Sequence, residues 1–593
     1  MRAMMLGLAV CLALSAPAQA ASPRPVVGTG GMVVTESPEA TLVGARVLQA
    51  GGNAIDAAVA VHFALAVTYP RAGNLGGGGF LIIRMADGTE EAIDFREIAP
   101  AAATRDLYLG EDGQPDPNLS TSTLLGTGVP GSVAGMGLAH ERHATRSWEE
   151  LLAPAIRLAR GGFALDRYTA EHLAIYRGHL GRHPETARIL LNGGELWSEG
   201  DTLRQPELAA TLTRLARHGP AEFYEGATAD SLVAEMTRGG GIITAEDLRG
   251  YRAKVRRPLR GGYRDLTILT MPPPSSGGIA LLQMLHCLED HPVGDMGPLS
   301  SDATHLLVEA MKRAFADRAE FLGDADFTPV PVDGLLRDAY LDSLCASIDP
   351  ERATPSLEAG PGLPPGADIF YRATGGTPGP DILDPGPDGE NTTHFSIVDA
   401  AGNAVAVTTT LNTSYGTGLM VTGAGFLLNN ELDDFAALPG SANYYGLIQG
   451  EANSVRPFAR PLSSMTPTIA LRGDRLALVL GSPGGPKIIT AVLQTLVNVV
   501  DHQLNIQQAI DLPRVHHQWW PDTLRIENDA LSADTRRALE AKGHHLGGSW
   551  WMGSVQGIHI VEGRMYGAAD SRRNGCAAGL SGSLIVGRSG WFQ

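Results

Sequence analysis

Strand-like and helix-like segments alternate along this chain and predict a mixed α+β protein, on three observations. Gly31 to Thr35 reads as a short strand followed by helically spaced apolar residues from Pro38 to Val67. Residues 392–398 and 404–410 both alternate around Asp399-Ala400-Ala401-Gly402-Asn403, which has turn chemistry, so a β-hairpin is predicted. Leu476 to Leu480 is a buried-type strand that enters Gly481-Ser482-Pro483-Gly484-Gly485-Pro486, after which Ile488, Ile489, Val492, Leu493, Leu496 and Val500 mark one helix face.

Between these segments the pattern is consistent. The helical run from Pro38 is interrupted at Gly51-Gly52, and strands alternating with helices are expected to continue through Phe163 and into the segment Ile243 to Met271. Ala280 to Leu288 and Ala303 to Phe321 are amphipathic helices, the second with Leu306, Leu307, Ala310, Met311, Ala314 and Phe315 on one face. From Pro350 to Asn391 prolines and glycines interleave with acids, and the stretch is expected to be extended and mobile, either a linker or a tail that must move once the chain is cut.

With 46 Lys+Arg against 64 Asp+Glu, the net charge of −18 and the lack of a basic run exclude nucleic acid and anionic membrane surfaces as expected partners. The 593 residues, 44% of them hydrophobic, can bury a large core. Arg2, the apolar run Met4 to Leu14 and Ala16-Pro17-Ala18-Gln19-Ala20 have the three regions of a secretory signal, with cleavage expected after Ala20. The run is too short to span a bilayer, so the mature protein is expected to be periplasmic or secreted, in a bacterial setting. Cys11 leaves with the signal. Cys287, Cys345 and Cys576 are odd in number and widely spaced, which predicts no disulfide framework and no metal site.

The chemistry centres on Thr392. In register, opposed hairpin residues sum to 802, which sets Thr392 across from Thr410 and sends Asn412 out on the same face. A threonine hydroxyl needs a base beside it, and breaking the Asn391–Thr392 bond would supply one on the same residue, an α-amine with a reference pKa of about 7.7–8.0. The expected protein is therefore a self-processed hydrolase with an N-terminal nucleophile. Backbone N–H groups at Gly484 and Gly485, beside a helix N-terminus, are candidates to hold a developing oxyanion. Gly76-Gly77-Gly78-Gly79 lacks the features of a nucleotide loop, His516-His517 lacks zinc-site spacing, and His394 alternates along the hairpin as a strand residue.

Long segments carry a resemblance. Gly73-Asn74-Leu75-Gly76-Gly77-Gly78-Gly79-Phe80, Asp94-Phe95-Arg96-Glu97, Leu428-Asn429-Asn430-Glu431-Leu432-Asp433-Asp434-Phe435, Arg460-Pro461-Leu462-Ser463-Ser464-Met465 and Gly481-Ser482-Pro483-Gly484-Gly485 resemble the signatures of the γ-glutamyltransferase (γ-glutamyl transpeptidase) family, in family order. The resemblance implies a four-layer αββα sandwich of the N-terminal-nucleophile hydrolase type. It would be made as one precursor and cut into a large subunit, 21–391, and a small catalytic subunit, 392–593, that pair as a heterodimer. It implies that Thr392 first cuts its own chain and then takes the γ-glutamyl group of glutathione or a related γ-glutamyl compound, passing it to water or to an amino acid or dipeptide. No cofactor or metal is expected.

Arg96 suits the substrate's α-carboxylate in a bidentate contact, and the resemblance adds the hydroxyls of Ser463 and Ser464. Asn412, Glu431 and Asp434 would hold the α-ammonium, since both charges need partners where water is excluded. Pro439 to Gly446 resembles the family's lid loop, with Tyr445 as its closing aromatic. Glu431 stands where many bacterial members have Gln, and Ser571 and Leu580 where Pro and Tyr are usual. The runner-up reading is a cephalosporin (glutaryl) acylase on the same scaffold; from another class, an exported binding protein that never matures.

Overall fold

The computed structural model describes residues 24–367 and 391–588. The expected signal segment, Cys11 and most of the Pro/Gly-rich tail lie outside the described residues. Two large antiparallel sheets organise the chain. One has eight strands in the order 583–588, 576–581, 31–35, 393–399, 404–410, 78–84, 90–94, 254–256. The other has seven, in the order 26–28, 564–569, 556–561, 475–481, 468–472, 266–270, 259–263. Segments from before and after residue 391 contribute strands to both sheets, so neither part of the sequence completes a sheet alone.

The hairpin Thr393–Asp399 and Ala404–Thr410 sits at the centre of the eight-stranded sheet, paired as Thr393 with Thr409 through Val398 with Ala404. This is the register the alternation predicts. Phe395, Ile397, Val405 and Val407 point to a core shared with the helices Pro38–Gln49 and Ala54–Thr68. Val398, Ala404 and Ala406 point to a second core between the sheets, against Ile469, Val479 and Ile558. A slip of one residue would exchange the large side chains of Phe395, Ile397, Val405 and Val407 with the smaller set that fits between the sheets, overpacking one core and leaving voids in the other. On its other face the seven-stranded sheet packs Ile268, Ala470, Leu478 and Leu480 against the helices Gly277–Glu289, Ser301–Phe321 and Lys487–Val500.

The helical run after Pro38 is two helices, broken at Gly51-Gly52 and restarted by an Asn53–Asp56 capping box. The expected alternation with strands does not hold between Phe163 and Ile243, where a two-residue pair of short strands is followed by helices such as Pro206–His218 and Ala227–Gly239.

Two sequence expectations are overturned. Cys287 and Cys345 form a disulfide with a Cα–Cα distance of 5.0 Å, joining the helices Gly277–Glu289 and Asp338–Ala346, while Cys576 is buried on the strand 576–581. Spacing along the chain could not reveal two helices packed side by side. Residues 350–367 are also held rather than loose: Ala353 N–H donates to Lys542 O at 2.7 Å, Ser356 N–H to Asp522 Oδ2 at 3.0 Å and Gly362 N–H to Asp317 Oδ1 at 3.0 Å. Their backbone donors find acceptors on distant elements, which composition does not encode. Among the described residues, no helix is long and apolar enough to cross a membrane.

Candidate active site

Thr392 lies where the central hairpin begins, buried, with its Oγ1 donating to Thr410 Oγ1 at 3.3 Å. Thr410 Oγ1 in turn donates to the main-chain oxygen of Asn391 at 2.9 Å, and accepts from Asn412 N–H at 2.8 Å. In the uncut chain the two hydroxyls are thus strung toward the carbonyl just upstream of Thr392. The glycine run fixes this strand from the other side: a Cβ on Gly77 would stand 2.0 Å from Thr410 O. Asn74 reinforces it, donating through Nδ2 to Thr410 O at 2.9 Å while its Oδ1 accepts from Gly77 N–H at 3.0 Å. Asn412 follows with a φ of 74°, a left-handed turn that Asn tolerates better than most residues.

A narrow cleft opens beside Thr392, lined among others by Arg96, Thr410, Asn412, Glu431, Asp434, Tyr445, Ser463, Ser464 and Gly485. Of the residues expected at the site from the sequence, all border it except Gly484, which precedes Gly485 in the loop leading to the helix Lys487–Val500, and Asn391, the expected cleavage residue just upstream of Thr392. Gly485 has a φ of 55°, and a Cβ there would come within 2.8 Å of the Tyr445 ring. Tyr445 closes the cleft, its hydroxyl donating to Asn412 O at 2.7 Å and its carbonyl accepting from Gln518 Nε2 at 3.1 Å. Asn443 ties the same loop to Asp434 Oδ1 at 3.0 Å.

The charged residues pair with one another. Arg96, wholly buried, bonds Glu431 Oε1 through NH1 and Asp434 Oδ2 at 2.6 Å through NH2, while Nε donates to Pro461 O at 3.1 Å. Glu97 Oε2 stands 3.8 Å from the same guanidinium, and among the described residues neither of its carboxylate oxygens has a hydrogen-bond partner. Burial raises the carboxyls of Glu97, Glu431 and Asp434, against the pull of Arg96. One guanidinium faces three desolvated acids, so burial and mutual repulsion outweigh a close ion pair and favour retention of a proton within the set. Asn412 Nδ2 donates to Asn430 O at 2.9 Å, which turns the amide oxygen away from that contact.

Sequence reasoning gave Glu97, Asn74 and Arg318 no role, although the first two lie inside quoted motifs. Arg318 is buried behind the serines, with Nε donating to Ser276 Oγ at 3.0 Å and Ser276 Oγ to Ser463 O at 2.7 Å. The histidines set aside earlier are structural. His394 bonds Thr408 Oγ1 at 2.8 Å and Ser396 Oγ at 3.1 Å, and burial lowers it to about 3, too acidic for a base. His516 bonds Thr490 and Gln518, and His517 faces Asp522. Among the described residues His305, Glu309 and His544 come close enough to suggest a metal, a grouping the sequence did not reveal. The two rings bond each other at 2.8 Å, and Glu309 is already taken by Lys312 at 3.3 Å and Arg313 at 2.8 Å, so resident side-chain cations fill the place of an ion.

Known proteins resemble this chain over most of its length. The family described as gamma-glutamyltranspeptidase matches residues 40–580. The glutathione hydrolase proenzyme of Escherichia coli (strain K12) is 47% identical over 552 residues, covering 93% of this chain and 91% of that protein. The acylase ACY 1 proenzyme of Pseudomonas sp. (strain SE83) is 37% identical over 569 residues, 95% of each. The crystal structure of Helicobacter pylori gamma-glutamyltranspeptidase superposes with a TM-score of 0.55 at 41% identity, covering 56% of this chain and 96% of that one. With the match spanning nearly the whole described chain, this protein belongs to the gamma-glutamyltranspeptidase family.

Proposed function

We infer that the chain is a γ-glutamyltransferase and glutathione hydrolase with a threonine nucleophile, built as an N-terminal-nucleophile hydrolase whose two sheets and flanking helices make a four-layer αββα sandwich. The observation that carries this reading is the hydrogen-bonded run from Thr392 Oγ1 through Thr410 Oγ1 to Asn391 O at the edge of a cleft holding Arg96, Glu431 and Asp434. In the precursor Thr392 Oγ bonds to the Asn391 carbonyl carbon while the C–N bond breaks and a proton passes to the nitrogen. Water opens the resulting ester, leaving fragments 21–391 and 392–593 associated as a heterodimer.

In the mature enzyme the new α-amine takes the Thr392 hydroxyl proton, and Oγ attacks the γ-carbonyl of the donor. N–H groups at Gly484 and Gly485 hold the oxyanion, where a single such donor typically contributes about 2.7–4 kcal/mol. The leaving amine departs with the proton, and water or the amine of an amino acid or dipeptide takes the γ-glutamyl group. Substrate binding exchanges partners: the α-carboxylate takes Arg96, helped by Ser463 and Ser464, while Glu431, Asp434 and the Asn412 amide oxygen take the ammonium. Tyr445 shields the reaction from bulk water. The signal segment 1–20 and the relatives' bacterial origin support a periplasmic enzyme.

A glutaryl donor lacks the ammonium and would leave the acids of this pocket unpaired. Intact-mass analysis tests the processing: the wild type is expected as two fragments and Thr392→Ala as one uncut chain. Assay of γ-glutamyl beside glutaryl anilides tests the substrate, and a preference for the glutaryl compound would contradict the assignment.

A further inference from the structure

Arg71 lies on the loop between the helix Ala54–Thr68 and the strand Gly78–Arg84, buried, and the sequence gave it no role. Its Nε donates to the side-chain oxygen of Asn391, and its NH1 donates to the Tyr168 hydroxyl. The guanidinium lies 5.9 Å from the ring centre of Tyr69 and 5.4 Å from that of Tyr168. Its main chain is fixed as well, Arg71 O accepting from Tyr415 N–H at 2.9 Å. Among the described residues no carboxylate forms an ion pair with it. A buried cation without a counter-ion is costly, so this one is held by contacts of another kind, and its side-chain hydrogen bonds run to a tyrosine and to the residue on the acyl side of the bond to be cut.

We propose that Arg71 is a positioning residue for cleavage of the Asn391–Thr392 bond. The inference rests on the self-processing proposed above. Asn391 is wholly buried and gripped at two points, its side-chain amide by Arg71 and its main-chain oxygen by Thr410 Oγ1 at 2.9 Å. Together these fix the orientation of the scissile peptide, so that its carbonyl faces the Thr392 hydroxyl as Oγ bonds to carbon and the amide nitrogen leaves with the proton. The planar fork of arginine can serve Asn391 and Tyr168 at once, which the single ammonium of lysine cannot. Misplacement of a reacting group by about 1 Å can cost on the order of 10²-fold in rate.

The test follows cutting of the full chain over time, by denaturing gel and intact mass, in wild type, Arg71→Lys, Asn391→Ala and the double variant. Each single change is expected to slow cutting by about 10- to 100-fold, and the double variant to be no slower than the slower single, because both remove one contact. Melting of Arg71→Lys and its parent, both in the uncut Thr392→Ala chain, is expected to agree within a few degrees. A wild-type cutting rate in Arg71→Lys, or a double variant slowed by the product of the two single effects, would overturn the proposal. A wild type that never cuts at Thr392 would instead defeat the self-processing reading beneath it.

Discussion

At the scale of residues, the site is occupied by its own charges. Arg96 already pairs with Glu431 and Asp434, so on the proposed reading a zwitterionic substrate displaces pairs instead of entering a vacant field. Asp434→Ala is predicted to lower kcat/KM by about 10²–10³-fold, the equivalent of roughly 3–4 kcal/mol and within the range that loss of one partner of a buried charge contact takes from binding; steady-state kinetics with a γ-glutamyl anilide check it, and a change under tenfold would contradict the assignment. Glu431 also makes stability depend on pH. Burial raises its folded-state carboxyl above the ordinary value, so its contribution is fully present below the unfolded pKa and is lost as pH rises through the folded one. Glu431→Gln cannot lose it. In the uncut Thr392→Ala chain, melting of Glu431→Gln relative to its parent is predicted to improve by roughly 1–3 °C between pH 5 and pH 8. A difference that does not change with pH would argue against a raised Glu431.

At the scale of elements, the hairpin was legible because alternation and turn residues specify a register with little freedom once one face is buried. The same holds for the strand, glycine turn and helix of 475–500, whose turn needs a positive φ at Gly485. Gly77 had the opposite character. As sequence it was one glycine in a run, and only the backbone of a strand more than three hundred residues away explains why a side chain cannot fit there. Gly77→Ala is predicted to leave the chain largely uncut or insoluble by pushing Thr410 away from Asn391 O, whereas Gly161→Ala, at the end of the helix Trp148–Gly161 with open space where the Cβ would stand, should process nearly normally. Gel analysis of the two side by side decides it. The pairing of Arg96 with Glu431 and Asp434 was likewise invisible in sequence, where their motifs suggested separate carboxylate and ammonium sites.

At the scale of the whole molecule, the fold depends on contacts that cross the proposed cut. Both sheets draw strands from either side of residue 391, and the chain at 353–362 is fastened partly to downstream segments around Asp522 and Lys542. The disulfide adds a tie inside the upstream part, closing 58 residues. Cys345→Ser is predicted to lower stability by about 2–4 kcal/mol, read by denaturant unfolding without reductant, and the difference should shrink when both proteins are reduced. Overall class, the central hairpin and the site motifs could be read before any coordinates because they depend on local pattern. The helices of 167–250, the disulfide and the anchoring of 350–367 could not, because each depends on what a distant segment brings alongside.

Quenching the enzyme during turnover of a γ-glutamyl anilide and mapping the modified peptide by mass spectrometry asks directly whether Thr392 is the acyl acceptor. The account predicts a small fragment that begins Thr392-Thr393-His394-Phe395 and carries one γ-glutamyl group on Thr392. An active enzyme whose chain runs uncut through Thr392, or a γ-glutamyl group on any other residue, would contradict it.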